Sequence, residues 1–364
     1  MYILLILLLL VLIVMLFIQQ PSFGRIPSGE RLEKIKRSPH YSATAFKNIS
    51  VTPQLTEGAS YVGVLSEFLF KKNKHKRPQG PLPSVKTDLH HLAPNENILV
   101  WFGHSSYYMQ VDGKRILVDP VLSGSASPLP GGTKAFPGTD IYKPIDIPEI
   151  DILFISHDHW DHLDYATVKE LRPKIKNVVC ALGVGEHFEY WGYNKKIIHE
   201  KDWYEVAELA DGFRVTLTPA RHFSGRGLKR NPSLWTSFVL QTPAHKIFIG
   251  GDSGYDKHFA EIGEHYGPFD LAVLENGQYD KSWRYIHLLP EEFLIAAKDL
   301  NAKKILPVHS AKFSLGNHNW DEPLIKVTQN NAGALLHIIT PMIGEPVHID
   351  DTSQTFSKWW EGIK

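Results

Sequence analysis

The sequence predicts an α/β fold preceded by an N-terminal hydrophobic helix, and three observations predict it. Short apolar runs bounded by turn residues recur from residue 98 onward, as strands do. From residue 165 helical segments alternate with them, the order expected of an α/β sheet. The strand-like runs also end repeatedly in Asp or His, and strand ends are where α/β proteins place their sites.

Bulk properties narrow the class. A chain of 364 residues corresponds to about two domains at roughly 150 residues each, or to one large α/β domain. The composition is 43% hydrophobic and 21% charged, with 39 basic and 39 acidic side chains. That is the profile of a globular enzyme, and it argues against a nucleic-acid partner. Cys180 is the only cysteine, so an intrachain disulfide and a Cys-based zinc site are both excluded. Beside Val178, Val179 and Ala181 it reads as a small core residue.

Residues 1–18 are apolar and carry no charge, a stretch that at about 1.5 Å per residue nearly crosses a ~30 Å hydrocarbon core. With no basic segment before it and no cleavage pattern after it, residues 1–20 read as a single-pass membrane anchor. Arg25, Arg31, Lys34, Lys36 and Arg37 follow it and place the catalytic domain on the cytoplasmic side. Residues 21–97 read as a basic, partly irregular extension packing on the catalytic domain. The apolar patch 61–70 and the cationic run 71–77 within it suit either an anionic lipid interface or a packed helix and a solvated loop.

The catalytic domain spans 98–364. It opens with an antiparallel meander of runs at 98–102, 107–111 and 115–119, the last two joined by Asp112-Gly113, a favoured two-residue hairpin turn. Asp119 leaves the end of a buried strand and needs a partner. The Gly- and Pro-rich stretch 122–148 is long enough to read as a functional loop. Residues 152–155 form the next strand, 165–171 a helix and 177–181 another strand, with a further helix opening at Gly183-Val184-Gly185. Runs at 213–219, 237–241, 246–250, 271–274 and 304–308 complete the strand set.

The 155–164 stretch concentrates the chemistry. It holds His157, His159, Asp161 and His162 directly after an apolar strand, and neutral imidazole with carboxylate is the donor set of divalent ions in catalytic sites. Further strand ends supply Asp119, His222, Asp252 and His309. His157, His159 and His222 can furnish three nitrogens to one ion. Asp161, His162 and His309 can serve a second, with Asp252 suited to bridge them. Strand termini give such ligands the rigid backing that metal geometry requires.

These residues carry a resemblance. The pattern His-x-His-x-Asp-His at 157–162, followed by His222, Asp252 and His309, is similar to that of the metallo-β-lactamase superfamily over roughly residues 98–346. The resemblance implies an αββα sandwich of two mixed sheets flanked by helices. Flavodiiron oxidoreductases carry Glu where His159 stands, and the lactamases proper lack the Asp252 bridge. The stretches 101–106, 117–128 and 284–290 resemble the N-acyl phosphatidylethanolamine-hydrolysing phospholipase D branch.

That branch implies a membrane-attached dinuclear phosphodiesterase acting on a phospholipid through a hydroxide bridging two divalent ions. Zinc is the default ion, iron and manganese also fitting. Asp161, Asp252 and His287 are then the catalytic candidates, His287 binding the phosphoryl oxygen or protonating the leaving group. Asp119 would accept an N–H from a ligand histidine, and His104 has either a supporting role at the site or a purely structural hydrogen bond. The alternative is a hydrolase of a small soluble ester, lactone or sugar phosphate. The expected partners are the lipid or other small ester substrate and the membrane, with a homodimer allowed. His90, His91, His245, His258, His265 and His318 read as ordinary histidines, and residues 283–285 and Trp320 as core packing with an acyl groove as the alternative.

Overall fold

Asp112 and Gly113 both adopt positive φ, 46° and 76°, as a two-residue hairpin of matching twist requires. They set Val111 opposite Lys114 and so fix the register of the first sheet. The computed structural model describes residues 2–70, 73–129 and 131–363. Lys71 and Lys72 of the cationic run lie outside the described residues, as does Met1 of the apolar stretch.

The N-terminal part contains α1 (Tyr2–Phe17), α2 (Gly29–Lys36), the short pair β1 (Tyr41–Ser42) and β2 (Ala45–Phe46), and α3 (Tyr61–Phe70). Next come β3 (Ile98–Trp101), β4 (Tyr107–Val111), β5 (Lys114–Val118), β6 (Ile152–Ile155), α4 (Tyr165–Leu171), β7 (Val178–Ala181), α5 (Gly185–Tyr190) and β8 (Ile198–Lys201). The second half holds β9 (Val206–Glu208), β10 (Arg214–Thr218), β11 (Ser237–Gln241), β12 (Lys246–Ile249), α6 (His258–Tyr266) and β13 (Leu271–Glu275). It closes with α7 (Pro290–Asp299), β14 (Ile305–Val308), α8 (Glu322–Asn331) and β15 (Pro346–His348).

Two mixed sheets result, ordered β15-β3-β4-β5-β6-β7-β8 and β14-β13-β12-β11-β10-β9. Alternate side chains of each strand point to opposite faces. Leu99, Met109, Ile116, Phe154 and Val179 therefore meet Val215, Phe238, Ile247 and Val273 between the sheets. On the outer face of the first sheet Val100, Tyr108, Leu153 and Val178 pack with Val168 and Leu171 of α4 and Phe188 of α5. Outside the second, Phe248, Ala272 and Ile305 pack with Phe259, Phe293 and Val327 from α6, α7 and α8. Strands buried on both faces read as continuous apolar runs, which is why β6 shows no alternation.

The single-pass anchor is overturned: no helix of the described residues is long and apolar enough to cross a membrane. α1 has 16 residues, which at 1.5 Å each reach about 24 Å, short of the ~30 Å core. Past a turn at residues 18–20, Gln20 is extended, at ψ 145°, as the residue before Pro21 is expected to be. The cytoplasmic placement rested on basic residues flanking an anchor and falls with it. Those residues have partners within the chain. Arg31 pairs with Glu186, Glu189 and Glu200, Lys34 donates to the Glu200 carbonyl at 2.8 Å, and the Arg25 guanidinium stacks 4.5 Å over Tyr190.

The 122–148 loop departs from its expectation as well. It buries Phe136, Tyr142 and Ile147 as a packed cover, and none of its described residues lines the cavity at the histidine cluster. In the described part of the cationic run, Arg77 donates to the Lys134 carbonyl at 3.1 Å.

Phe154 and Phe238 meet edge to face across the sandwich, ring centroids 4.9 Å apart, both fully buried. Phe238→Ala is expected to lower the unfolding free energy by about 3–5 kcal/mol, measured by denaturant titration. A loss below about 1 kcal/mol would mean that the two sheets close over the vacancy.

Candidate metal centre

β6 delivers the histidine-rich stretch. Ile155 is held in the parallel ladder opposite Cys180, and α4 begins at once behind Asp164, whose carboxylate caps the Ala166 N–H at 3.2 Å. The intervening turn is thus pinned at both ends. Arg226 pins its middle, donating at 2.7 Å to the carbonyls of both Asp158 and Leu163 while its guanidinium stacks 3.9 Å over Trp160. Asp158, fully buried, accepts from Gly225 N–H at 2.7 Å and Ser233 Oγ at 2.8 Å. This ties the turn to the loop that carries His222.

The expected ligands converge on two adjoining groups. His157 Nε2 lies 2.8 Å from His159 Nδ1, and His222 Nε2 lies 3.2 Å from the same atom. His104, Asp161, His162 and His309 form a second group, each with a donor atom within 4.8 Å of the others. Asp252 stands between them. One carboxylate oxygen is 3.2 Å from His162 Nε2 and 3.2 Å from His309 Nδ1, while the other is 3.9 Å from His157 Nε2 and 3.7 Å from His222 Nε2.

The far side of each group is held by the protein. Asp119 accepts from Ser156 N–H at 2.8 Å and Ser156 Oγ at 2.6 Å, and lies 2.8 Å from His162 Nδ1. His222 Nδ1 is 2.8 Å from the Ile286 carbonyl, which makes that nitrogen the donor and leaves Nε2 for the site. His309 differs: Ser105 Oγ is 2.8 Å from its Nδ1, the same nitrogen that lies 3.2 Å from Asp252, and its Nε2 makes no hydrogen bond among the described residues. His104, left open between two roles by sequence, puts Nε2 2.8 Å from Asp161 Oδ2. His287 stands at the edge, its ring centroid 5.1 Å from that of His222 and 5.2 Å from that of His309.

Donor chemistry and unmet bonding both fit divalent cations. His159 Nε2, His162 Nε2, His309 Nε2 and Asp252 Oδ1 are buried and accept or donate no hydrogen bond among the described residues, a state that costs about 1–3 kcal/mol per group when nothing else satisfies it. Burial holds His157, His222 and His309 well below the ordinary imidazole range and His159 at about 4. They are neutral at pH 7, the form that coordinates metals. His162 goes the other way. Burial opposes its charge, but Asp252, Asp161 and Asp119 outweigh that and hold the imidazolium well above its usual range.

Several contributors were not visible in the sequence. Glu275, at the end of β13, is fully buried and lies 3.0 Å from His287 Nδ1 while accepting from the Ser253 and Leu288 N–H groups. Burial pushes its carboxyl up. Its position at a strand end was the one available signal. The cavity over the cluster, about 300 Å³, is lined partly by Gln54, Leu55 and Tyr61 from the N-terminal extension and by Arg230 and Trp283. Trp283 therefore faces the cavity and not the core, whereas Trp320 is buried as core packing. The six histidines read as ordinary lie outside both groups.

Asp119→Asn keeps the shape but removes the charge behind His162. Metal affinity is expected to fall about 10- to 100-fold, read from competition with a chromogenic chelator; unchanged affinity would show that Asp119 only shapes the turn.

Comparison with known proteins agrees with this geometry. The profile of the beta-lactamase superfamily domain matches residues 114–310. An uncharacterised protein of Mycobacterium tuberculosis is 34% identical over 335 residues, covering 89% of this chain and 88% of its own. The N-acyl-phosphatidylethanolamine-hydrolyzing phospholipase D 1 of Caenorhabditis elegans is 30% identical over 306 residues, covering 76% of this chain and 81% of its own. Among solved structures, a metallo hydrolase of the archaeon Ignicoccus hospitalis superposes with a TM-score of 0.53 at 22% identity, covering 70% of this chain and 98% of that one. The chain belongs to the metallo-β-lactamase superfamily and is a metal-dependent hydrolase.

Proposed function

We propose that this hydrolase is a dinuclear zinc phosphodiesterase that cleaves N-acyl phosphatidylethanolamine or a related lipid on the head-group side of phosphorus. The observation that carries the dinuclear reading is Asp252, with one oxygen toward each of the two ligand groups. In this reading His157, His159 and His222 would hold one ion, Asp161, His162 and His309 would hold the other, and Asp252 would serve both. Nitrogen and oxygen donors without sulfur suit zinc at a catalytic site. The substrate class is supported by the similarity to the nematode phospholipase D, whose name states that activity.

When bound, two such cations supply an activated water and neutralise charge on the reacting phosphoryl group. The chain's own residues do the rest. His287 reaches the cavity beside His222 and His309, where it can give a proton to the departing alcohol. Burial pushes the Glu275 carboxyl up and lowers the pKa of His287, so the protonated Glu275 donates to Nδ1 at 3.0 Å. The neutral ring then carries its proton on Nε2 toward the substrate, and Nδ1 takes the Glu275 proton as Nε2 gives its own up. Leu55, Trp283, Ile286 and Leu315 offer apolar wall to an acyl chain.

Turnover of N-acyl phosphatidylethanolamine, with release of N-acyl ethanolamine, should vanish in His157→Ala and Asp252→Ala. His287→Asn should retain both ions and lose roughly 10²- to 10⁴-fold in kcat. Activity on lactones alone would overturn the lipid reading, and fewer than two ions per active chain would overturn the dinuclear one.

Loading also has a pH signature. Because His162 is held as imidazolium before an ion binds, coordination must expel its proton, so affinity rises as pH rises. The expected dependence is about one proton and about tenfold per pH unit below the His162 pKa, measured by calorimetry in buffers of different ionisation heat. A pH-independent affinity would show that His162 is already neutral.

A further inference from the structure

We propose that the cavity has a second branch, beneath the segment 45–54, that binds an anionic group of the substrate away from the metal centre. This deepens the lipid-hydrolase reading and rests on it for the word substrate. The branch encloses about 520 Å³ and shares Gln54, His222, Phe223 and Arg230 with the cavity over the cluster. Its wall adds Lys47 and only neutral side chains, so it holds two cations and no carboxylate.

Arg230 is placed by aromatic packing. Its guanidinium lies 3.9 Å from the Phe223 ring centroid, and that ring in turn packs 4.7 Å from His222 and 4.4 Å from His159. One phenyl ring therefore separates the cation from two of the proposed metal ligands. Other arginines of the chain have acceptors: Arg31 has three carboxylates and Arg226 the carbonyls of Ser22, Asp158 and Leu163. Among the described residues, the Arg230 side chain packs on Phe223 and neither it nor Lys47 makes a side-chain hydrogen bond or ion pair. A guanidinium has five N–H donors in a fork that matches carboxylate and phosphate, and Arg230, exposed to solvent, lines both cavities.

The wall is also fixed in place. Asn48 donates to the His222 carbonyl at 2.8 Å and accepts from His222 N–H at 3.1 Å and Trp235 Nε1 at 3.0 Å. Asn231, next to Arg230, donates to the Phe46 carbonyl at 3.1 Å, and Phe46 N–H returns a bond to the Asn231 carbonyl. The two sides of the branch are thus stitched together. The apolar wall over the cluster takes the acyl portion and the cationic branch takes the polar arm, with the scissile group between them.

N-acyl phosphatidylserine and N-acyl phosphatidylethanolamine differ by one carboxylate, so the metal-loaded protein can be assayed on both in mixed micelles. The wild type is expected to show the lower KM for the serine lipid. Arg230→Gln should raise that KM roughly 10- to 100-fold, leave kcat within a few fold and leave the ethanolamine lipid nearly unaffected, with Arg230→Lys intermediate. Equal KM values in the wild type, or an equal effect of Arg230→Gln on both lipids, overturns the proposal. Binding of 1-octanesulfonate followed by calorimetry, with methanesulfonate as the free-anion control, judges the branch even if neither lipid is turned over. At least tenfold weaker octanesulfonate binding in Arg230→Gln and in Lys47→Gln supports it; binding unchanged in both overturns it, and methanesulfonate bound as tightly as octanesulfonate marks an anion site with no apolar arm, which overturns the two-armed substrate.

Discussion

A carboxylate stripped of water needs cations or donors around it, or it loses its charge, and Asp252 is 3% exposed. Its surroundings are imidazoles at 3.2 to 3.9 Å, and the placement of those rings decides the shape of the whole edge of the sandwich. Asp119 and the Ile286 carbonyl engage the outer nitrogens of His162 and His222. The inner nitrogens consequently point at Asp252. The cluster is satisfied from behind and unsatisfied at its centre, an arrangement that suits bound divalent metal.

That demand reaches into the backbone. Asp119, His104 and His309 all adopt positive φ, at 41°, 54° and 68°, although side chains other than glycine pay about 1–3 kcal/mol for sparsely populated geometry. Each sits where a chain leaves a strand or turns beside one. His309 N–H donates to the His104 carbonyl and His104 N–H to the Ser310 carbonyl, both at 2.9 Å. These bonds link the turn after β3 in the first sheet to the end of β14 in the second. The strained turns and the backbone exchange therefore lock the two sheets together at the point where the proposed ligands converge.

Most of this scaffold was legible because burial on both faces leaves a plain signature. β4, β6 and β11 begin and end where the apolar runs do, and the Asp112-Gly113 hairpin has the register its turn demands. β8, with no fully buried residue, and the short edge strands β9 and β15 have no such run and passed unseen. Among polar residues, the ligand candidates stood out by density and by position after strands. Glu275 also follows a strand but lacks a cluster in sequence, and Asp158 hides among the histidines it supports. The apolar N-terminus was misleading: its composition is that of a membrane span, but its helix has 16 residues, from Tyr2 to Phe17.

The extension is the part least readable from sequence and the part that shapes the cavity. Its residues are held by contacts of large sequence separation, such as Asn48 with His222 and Arg31 with Glu200, which no local pattern announces. Strand ends confine the donor atoms to one geometry, so the catalytic chemistry follows from the sandwich. Gln54, Leu55 and Tyr61 enter the cavity from a segment that the sandwich does not dictate. Discrimination between substrates depends on contacts beyond the reacting atoms, and here the extension and the loop bearing Arg230 line the cavity where such contacts are made in the proposed reading. A change in this segment can alter which ester is accepted while the ligand cluster beneath it keeps its form.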